Sequence, residues 1–150
     1  MSYETVANAL ETLLEAVTDF GSARVSQFDY SILNAGVKRA IVIRSNGWSR
    51  ELTRFGGPYE TTYDLGIELF AKYTKPADTE NQLRDDMQLI IDKLDANPEL
   101  NGTANVINAF ISEVDQVSEP PEGLVSPPGV WRMWQLHCMV TETGSTSHAE

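Results

Sequence analysis

The stretch YETTYDLGIELFAKY, residues 59–73, runs directly into TKPADTENQLRDDMQLIIDKL, residues 74–94. Odd positions of the first segment are Tyr59, Thr61, Tyr63, Leu65, Ile67, Leu69, Ala71 and Tyr73; even positions are Glu60, Thr62, Asp64, Gly66, Glu68, Phe70 and Lys72. Successive side chains on a strand point to opposite faces, so this alternation predicts one long strand with an apolar face and a mostly wet one. Such a strand suits an antiparallel sheet covered on one side. Pro76 ends the strand, and Asp78 or Thr79 is placed to cap a helix, Thr79 with Gln82 making a capping-box pattern. Leu83, Met87, Ile90, Ile91 and Leu94 then share one helical stripe, while Asn81, Asp85, Gln88, Asp92 and Asp95 share the opposite one. Asn97-Pro98 stops the helix.

Upstream, Val6, Leu10, Leu13, Leu14 and Val17 repeat the helical spacing and predict a first helix of about 17 residues, capped by Ser2 and closed by Phe20-Gly21. Residues 24–30 read as a weak strand and residues 31–36 as an ambiguous connection. Residues 37–44, VKRAIVIR, are a stronger strand because β-branched side chains dominate. Between residues 45 and 58, Asn46-Gly47 and Gly56-Gly57-Pro58 are turn signals, which predicts an extended hairpin arm or a long loop.

Downstream of the helix, Asn101-Gly102 marks a turn. Residues 105–117 suit either a strand or one helical face (Val106, Ile107, Phe110, Ile111, Val114); dense β-branching and the lack of a preceding cap favour the strand. A proline-rich connection, residues 119–129, leads into a closing strand over residues 130–142. Its even face, Val130, Arg132, Trp134, Leu136, Cys138 and Val140, reads as buried apart from Arg132. Residues 143–150 are small and polar, a disordered tail. The sum is a single α+β domain, residues 1–142, with a mainly antiparallel sheet of about five strands and two main helices, in the order α-β-β-(long loop)-β-α-β-β.

Composition narrows the function classes. At 150 residues the chain is long enough to bury roughly 70% of its unfolded surface. No apolar run approaches the ~18 residues of a membrane span, and Met1-Ser2-Tyr3-Glu4 is not the start of a secretory signal. A single cysteine, Cys138, excludes an internal disulfide framework and suits a reducing cytoplasm. A net charge of −11 argues against a dedicated nucleic-acid binder. The charge is uneven: residues 1–59 hold six acids and six bases, residues 60–150 sixteen acids and five bases. Arg24, Lys38, Arg39, Arg44, Arg50 and Arg54 all fall within residues 23–59, which reads either as ordinary surface scatter or as a basic patch able to meet an acidic one on another copy.

Chemistry is sparse. His137 sits on the outward phase of its strand and reads as a solvated or interface imidazole; His148 lies in the tail. Cys138 reads as a small core hydrophobe. Asp85 and Asp86 are adjacent on a helix and point about 100° apart, so they form no dyad. No glycine-rich phosphate loop, nucleophile elbow or paired-cysteine motif occurs. The expectation is therefore no catalytic residue, no metal site and no cofactor. The candidate interface is Arg44, Trp48, Arg50, Arg54 and Phe55, since aromatics and arginine are the types enriched at interface centres.

The order of elements resembles the tail terminator, or tail completion, proteins of long-tailed double-stranded-DNA bacteriophages. The resemblance is carried by the alternating strand over residues 61–70 leading straight into a helix, by the LDANPELNG link of residues 94–102, and by the closing strand WRMWQL, residues 131–136, after a proline-rich link. It implies a structural virion protein of the tail or neck, assembled in the host cytoplasm. Its partners would be copies of itself in a ring, usually of six, the tail tube protein and the head–tail connector protein. DNA would pass through the lumen without specific binding, and no membrane, metal or cofactor is implied.

Overall fold

The computed structural model describes residues 3–17, 20–21, 24–33, 37–52, 59–103, 105–117, 120 and 130–144. The strands are β1 (Val25–Gln27), β2 (Arg39–Leu52), β3 (Tyr59–Lys72), β4 (Val106–Asp115) and β5 (Trp131–Gly144), and the helices are α1 (Tyr3–Glu15) and α2 (Pro76–Asp95). The five strands form one mixed sheet in the order β1-β2-β3-β5-β4. β1 lies parallel to β2, and the other neighbours are antiparallel. The α+β class and the element order thus agree with the sequence reading, and residues 106–115 form a strand rather than a helix.

The odd phase of β3 builds the main core. Leu65, Ile67 and Leu69 lie against Ile41 and Ile43 of β2 and against Leu136, Cys138 and Val140 of β5, and all are buried. Over them lie Val6, Leu10, Leu13 and Leu14 of α1 and Leu83, Ile90 and Leu94 of α2. The predicted polar stripe of α2, from Asn81 to Asp95, is exposed throughout.

The even phase of β3 is not simply wet. The connection from β1 to β2 crosses this face, as a parallel pair requires, and puts Tyr30, Ile32, Leu33 and Val37 beside Ala40, Val42, Phe70, Trp131 and Met133. Phe70 and Trp131 are each only 1% exposed. One end of the second face is therefore a small apolar cluster of its own.

Several boundaries differ from the sequence reading. α1 stops at Glu15. α2 begins at Pro76 with no side-chain cap, because proline's fixed φ already suits the first helical turn. Thr79 instead lies inside that turn and its hydroxyl accepts from the Thr74 N–H at 3.1 Å. β2 continues to Leu52 through a bulge between Ser45 and Gly47, so of the two alternatives for this stretch residues 45–52 take the hairpin arm and not the loop. β5 extends to Gly144, two residues into the anticipated tail; residues 145–150 and most of the proline-rich connection lie outside the described residues.

Candidate functional site

Two regions of the sheet carry unusual side chains. The first is the margin where β2, β3 and β5 run on past the main core. Trp48 pairs with Tyr63, Arg50 with Thr61 and Leu52 with Tyr59, while Tyr63, Thr61 and Tyr59 pair on their other side with Val140, Glu142 and Gly144. Directly opposed residues of an antiparallel ladder share a face, so Trp48, Arg50 and Leu52 stand on the side that carries the helices. The core ends at Tyr63, which is buried, touches Tyr3 of α1 at 6.2 Å between ring centroids, and donates its hydroxyl to Glu142 at 2.6 Å. Beyond it Trp48 is 62% exposed and Leu52 43% exposed. The Arg50 guanidinium stacks on the Tyr59 ring, 4.2 Å from its centroid, a cation–π arrangement that holds the charge flat against the margin.

Of the five candidate interface residues, Trp48 and Arg50 come together here. Arg44 does not. It projects from the opposite face toward Glu68, 3.5 Å away, and Glu68 also accepts from the Tyr30 hydroxyl at 2.5 Å. Burial, with Glu68 beside it, pushes the Tyr30 phenol up to about 12. Arg54 and Phe55 lie outside the described residues. The expected basic patch over residues 23–59 is also thinner than composition suggests. Arg39 is consumed by a bidentate pair with the buried Asp86 (Nε to Oδ2 2.9 Å) and lies over the Phe20 ring. Desolvation raises the Asp86 carboxyl above its usual range, with Arg39 opposing the shift.

The second region is a polar belt across the open face, and it gathers residues that the sequence reading left apart. His137 of β5 has carboxylates on both ring nitrogens: Asp115 of β4 is 2.9 Å from Nε2 and Asp64 of β3 is 3.3 Å from Nδ1, with Glu113 of β4 at 3.7 Å from Nε2. Asn46, on the β2 bulge, reaches Asp64 at 3.4 Å and the imidazole at 3.5 Å. The bond to Asp115 and then the field of Asp64 raise the His137 pKa against the opposing cost of burial. Gly66 is the floor of this belt. A Cβ there would stand 2.9 Å from Gln135 Nε2 and 3.0 Å from Asn46 Nδ2.

Among the described residues no hydroxyl or thiol bonds to this imidazole. Cys138 faces the opposite side, buried in the main core, with its thiol pushed up to about 12 by desolvation. No helix among the described residues is long and apolar enough to cross a membrane.

The fold and the two regions define an α+β sheet domain with an exposed aromatic margin. No protein-family model and no curated protein matches the sequence. Among solved structures, the chain is similar to the sheath/tube terminator of an extracellular contractile injection system, PVC, in its extended state, with 16% identity and a TM-score of 0.40. The match covers 100% of this chain and 61% of that one. A likeness at this level assigns no family.

Proposed function

We propose that this chain is a structural tail terminator, a protein that binds the end of a tubular tail as a ring of copies, stops tube growth and offers a docking surface to the next component. The observation that carries the reading is the sheet margin. Trp48 and Leu52 are large, apolar and exposed, and Arg50 lies flat beside them on Tyr59. Apolar and aromatic area of this kind, edged by arginine, is the composition of interface centres. The order of elements in the sequence supports the same role, and that role needs no active site.

A ring is built from heterologous contacts, in which one patch of a copy meets a different patch of its neighbour. The exposed margin is one such patch. The acidic stripe of α2, which includes Asp85, Asp92 and Asp95, supplies an unlike surface within the same molecule, and Arg50 is suited to carboxylates of that kind.

The test is assembly. Purified protein, alone and mixed with tail tubes, is weighed by analytical ultracentrifugation and imaged by electron microscopy. Rings or caps at tube ends are expected. Replacing Arg50 and Arg54 together by Glu abolishes them while thermal unfolding stays cooperative near the original temperature. A wild-type protein that stays monomeric and ignores tube ends overturns the reading.

A further inference from the structure

Of the ionisable clusters outside the aromatic margin, the one around His137 has ligand chemistry as well as charge. Three of its ligand groups, His137, Glu113 and Asp115, come from the adjacent strands β5 and β4. A bulge between Ile111 and Glu113 resets the register of β4, so that Glu113 opposes His137 and Asp115 opposes Gln135. Both carboxylates therefore reach the imidazole from the β4 side. Nε2 of His137 and one oxygen each of Glu113 and Asp115 all lie within 4.8 Å of one another. Ligands about 2.0–2.2 Å from a shared ion stand roughly 3–3.5 Å apart; the separations of 2.9 Å and 3.7 Å from Nε2 bracket that range.

The remaining parts of the cluster act on the imidazole rather than on the ion. With its proton on Nδ1 the imidazole donates to Asp64 at 3.3 Å, and the Nε2 lone pair is then available to an ion shared with Asp115, 2.9 Å away; Asn46 braces Asp64. A histidine whose second nitrogen is held by a carboxylate is the usual orientation at metal centres. The charge balance points the same way. Asp64, Glu113 and Asp115 bring three negative charges to one imidazole, and among the described residues no Lys or Arg pairs with any of them. Glu113 is 66% exposed in its side chain and His137 20%, so the site is open to solvent on the β4 side.

We propose that His137, Glu113 and Asp115 bind one divalent transition-metal ion, with Asp64 positioning the imidazole. Nitrogen with two carboxylates suits zinc, cobalt(II) or manganese(II) better than calcium, which takes oxygen ligands alone. The ion ties edge strand β4 to β5 and completes the open face. The inference is independent of the tail-end reading and departs from the sequence-based expectation that His137 is a solvated or interface imidazole.

The experiment titrates the full chain with zinc and with cobalt(II), by calorimetry and by the visible absorption of bound cobalt. One ion per chain is expected, with cobalt bands that report nitrogen coordination. His137→Gln removes the bands and weakens binding at least about 10-fold, and Asp64→Asn, acting through the imidazole alone, weakens it by about 10-fold. Asp115→Asn changes a half-exposed side chain, and weakens binding as strongly even if His137→Gln fails to fold. The proposal is overturned if wild-type protein binds no stoichiometric ion, or if Asp115→Asn and Asp64→Asn leave the affinity unchanged. The second result would assign the binding to scattered surface carboxylates or to His148.

Discussion

The two faces of the sheet are built from the same strands and differ in what covers them. On one, α1 and α2 lie over a continuous apolar layer from Ile41 across Ile67 to Val140. On the other, a short crossing segment covers only the end near Phe70 and Trp131, and the middle holds Glu68, Asp64, His137 and Asp115. Apolar burial is non-directional and tolerates no open water, so the helix-covered face fixes the fold. The open face is left free to hold groups that need both solvent and specific partners. Charge does enter the covered side, as the matched pair of Arg39 and Asp86 and as the buried Glu142 carboxylate that accepts from Tyr63.

Mutations that separate the faces should differ in size. The largest effect is expected from Leu65→Ala on the covered face. Leu65 is fully buried among well-packed neighbours, so denaturant unfolding should register a loss of roughly 4 kcal/mol, the transfer cost plus a cavity. An equally large loss from Asp64→Ala on the open face would erase the distinction.

Asp86→Ala should follow, at roughly 3 kcal/mol, because it strands the mostly buried Arg39 without its partner. A double variant that also replaces Arg39 by Met should recover much of the loss. If the double variant is less stable than Asp86→Ala alone, Arg39 contributes chiefly through Phe20 and not through the carboxylate.

Tyr30→Phe on the open face should cost least, about 1 kcal/mol at neutral pH, since it deletes one donor to Glu68. The effect should depend on alkali with a definite sign. The folded phenol holds its proton up to about 12, above the ordinary value of 10.0. The unfolded chain therefore loses that proton first, and wild-type stability contributed by Tyr30 is present below pH 10 and drains away as pH rises toward 12. The gap between wild type and variant should narrow over that window; a constant gap would mean that the hydroxyl does not titrate as its surroundings dictate.

The sequence made the covered face legible and the open face much less so. The period-two run of residues 59–73 and the stripe from Leu83 to Leu94 are long, so they located β3 and α2 despite an error in the cap at Pro76. Cys138 and the even phase of β5 were legible for the same reason. The cover on Phe70, Trp131 and Met133 was not, although three large apolar residues on the nominally wet phase were a signal that something lay over them. β1 spans three residues and pairs in parallel, with too little pattern to specify either fact. Arg39 and Asp86 are 47 positions apart, and nothing local announces the pair. The His137 cluster depends on a bulge in β4, and a bulge shifts the register and strand phase in a way that no local pattern of residues 105–117 announces.

The insertion of β5 between β3 and β4 has a consequence for synthesis. On the β5 edge of β3, Tyr59 pairs with Gly144 and Lys72 with Trp131. A nascent chain that has emerged as far as β4 has made two helices and four strands, yet β4 has no neighbour and β3 has one bare edge. Long-range pairing of this kind is slow, and bare edges invite pairing with other chains. The domain must therefore be completed after its last strand leaves the ribosome, in a single late step that sews both halves together. Shortening the chain inside β5 should thus send the product into aggregates rather than into a smaller stable fold.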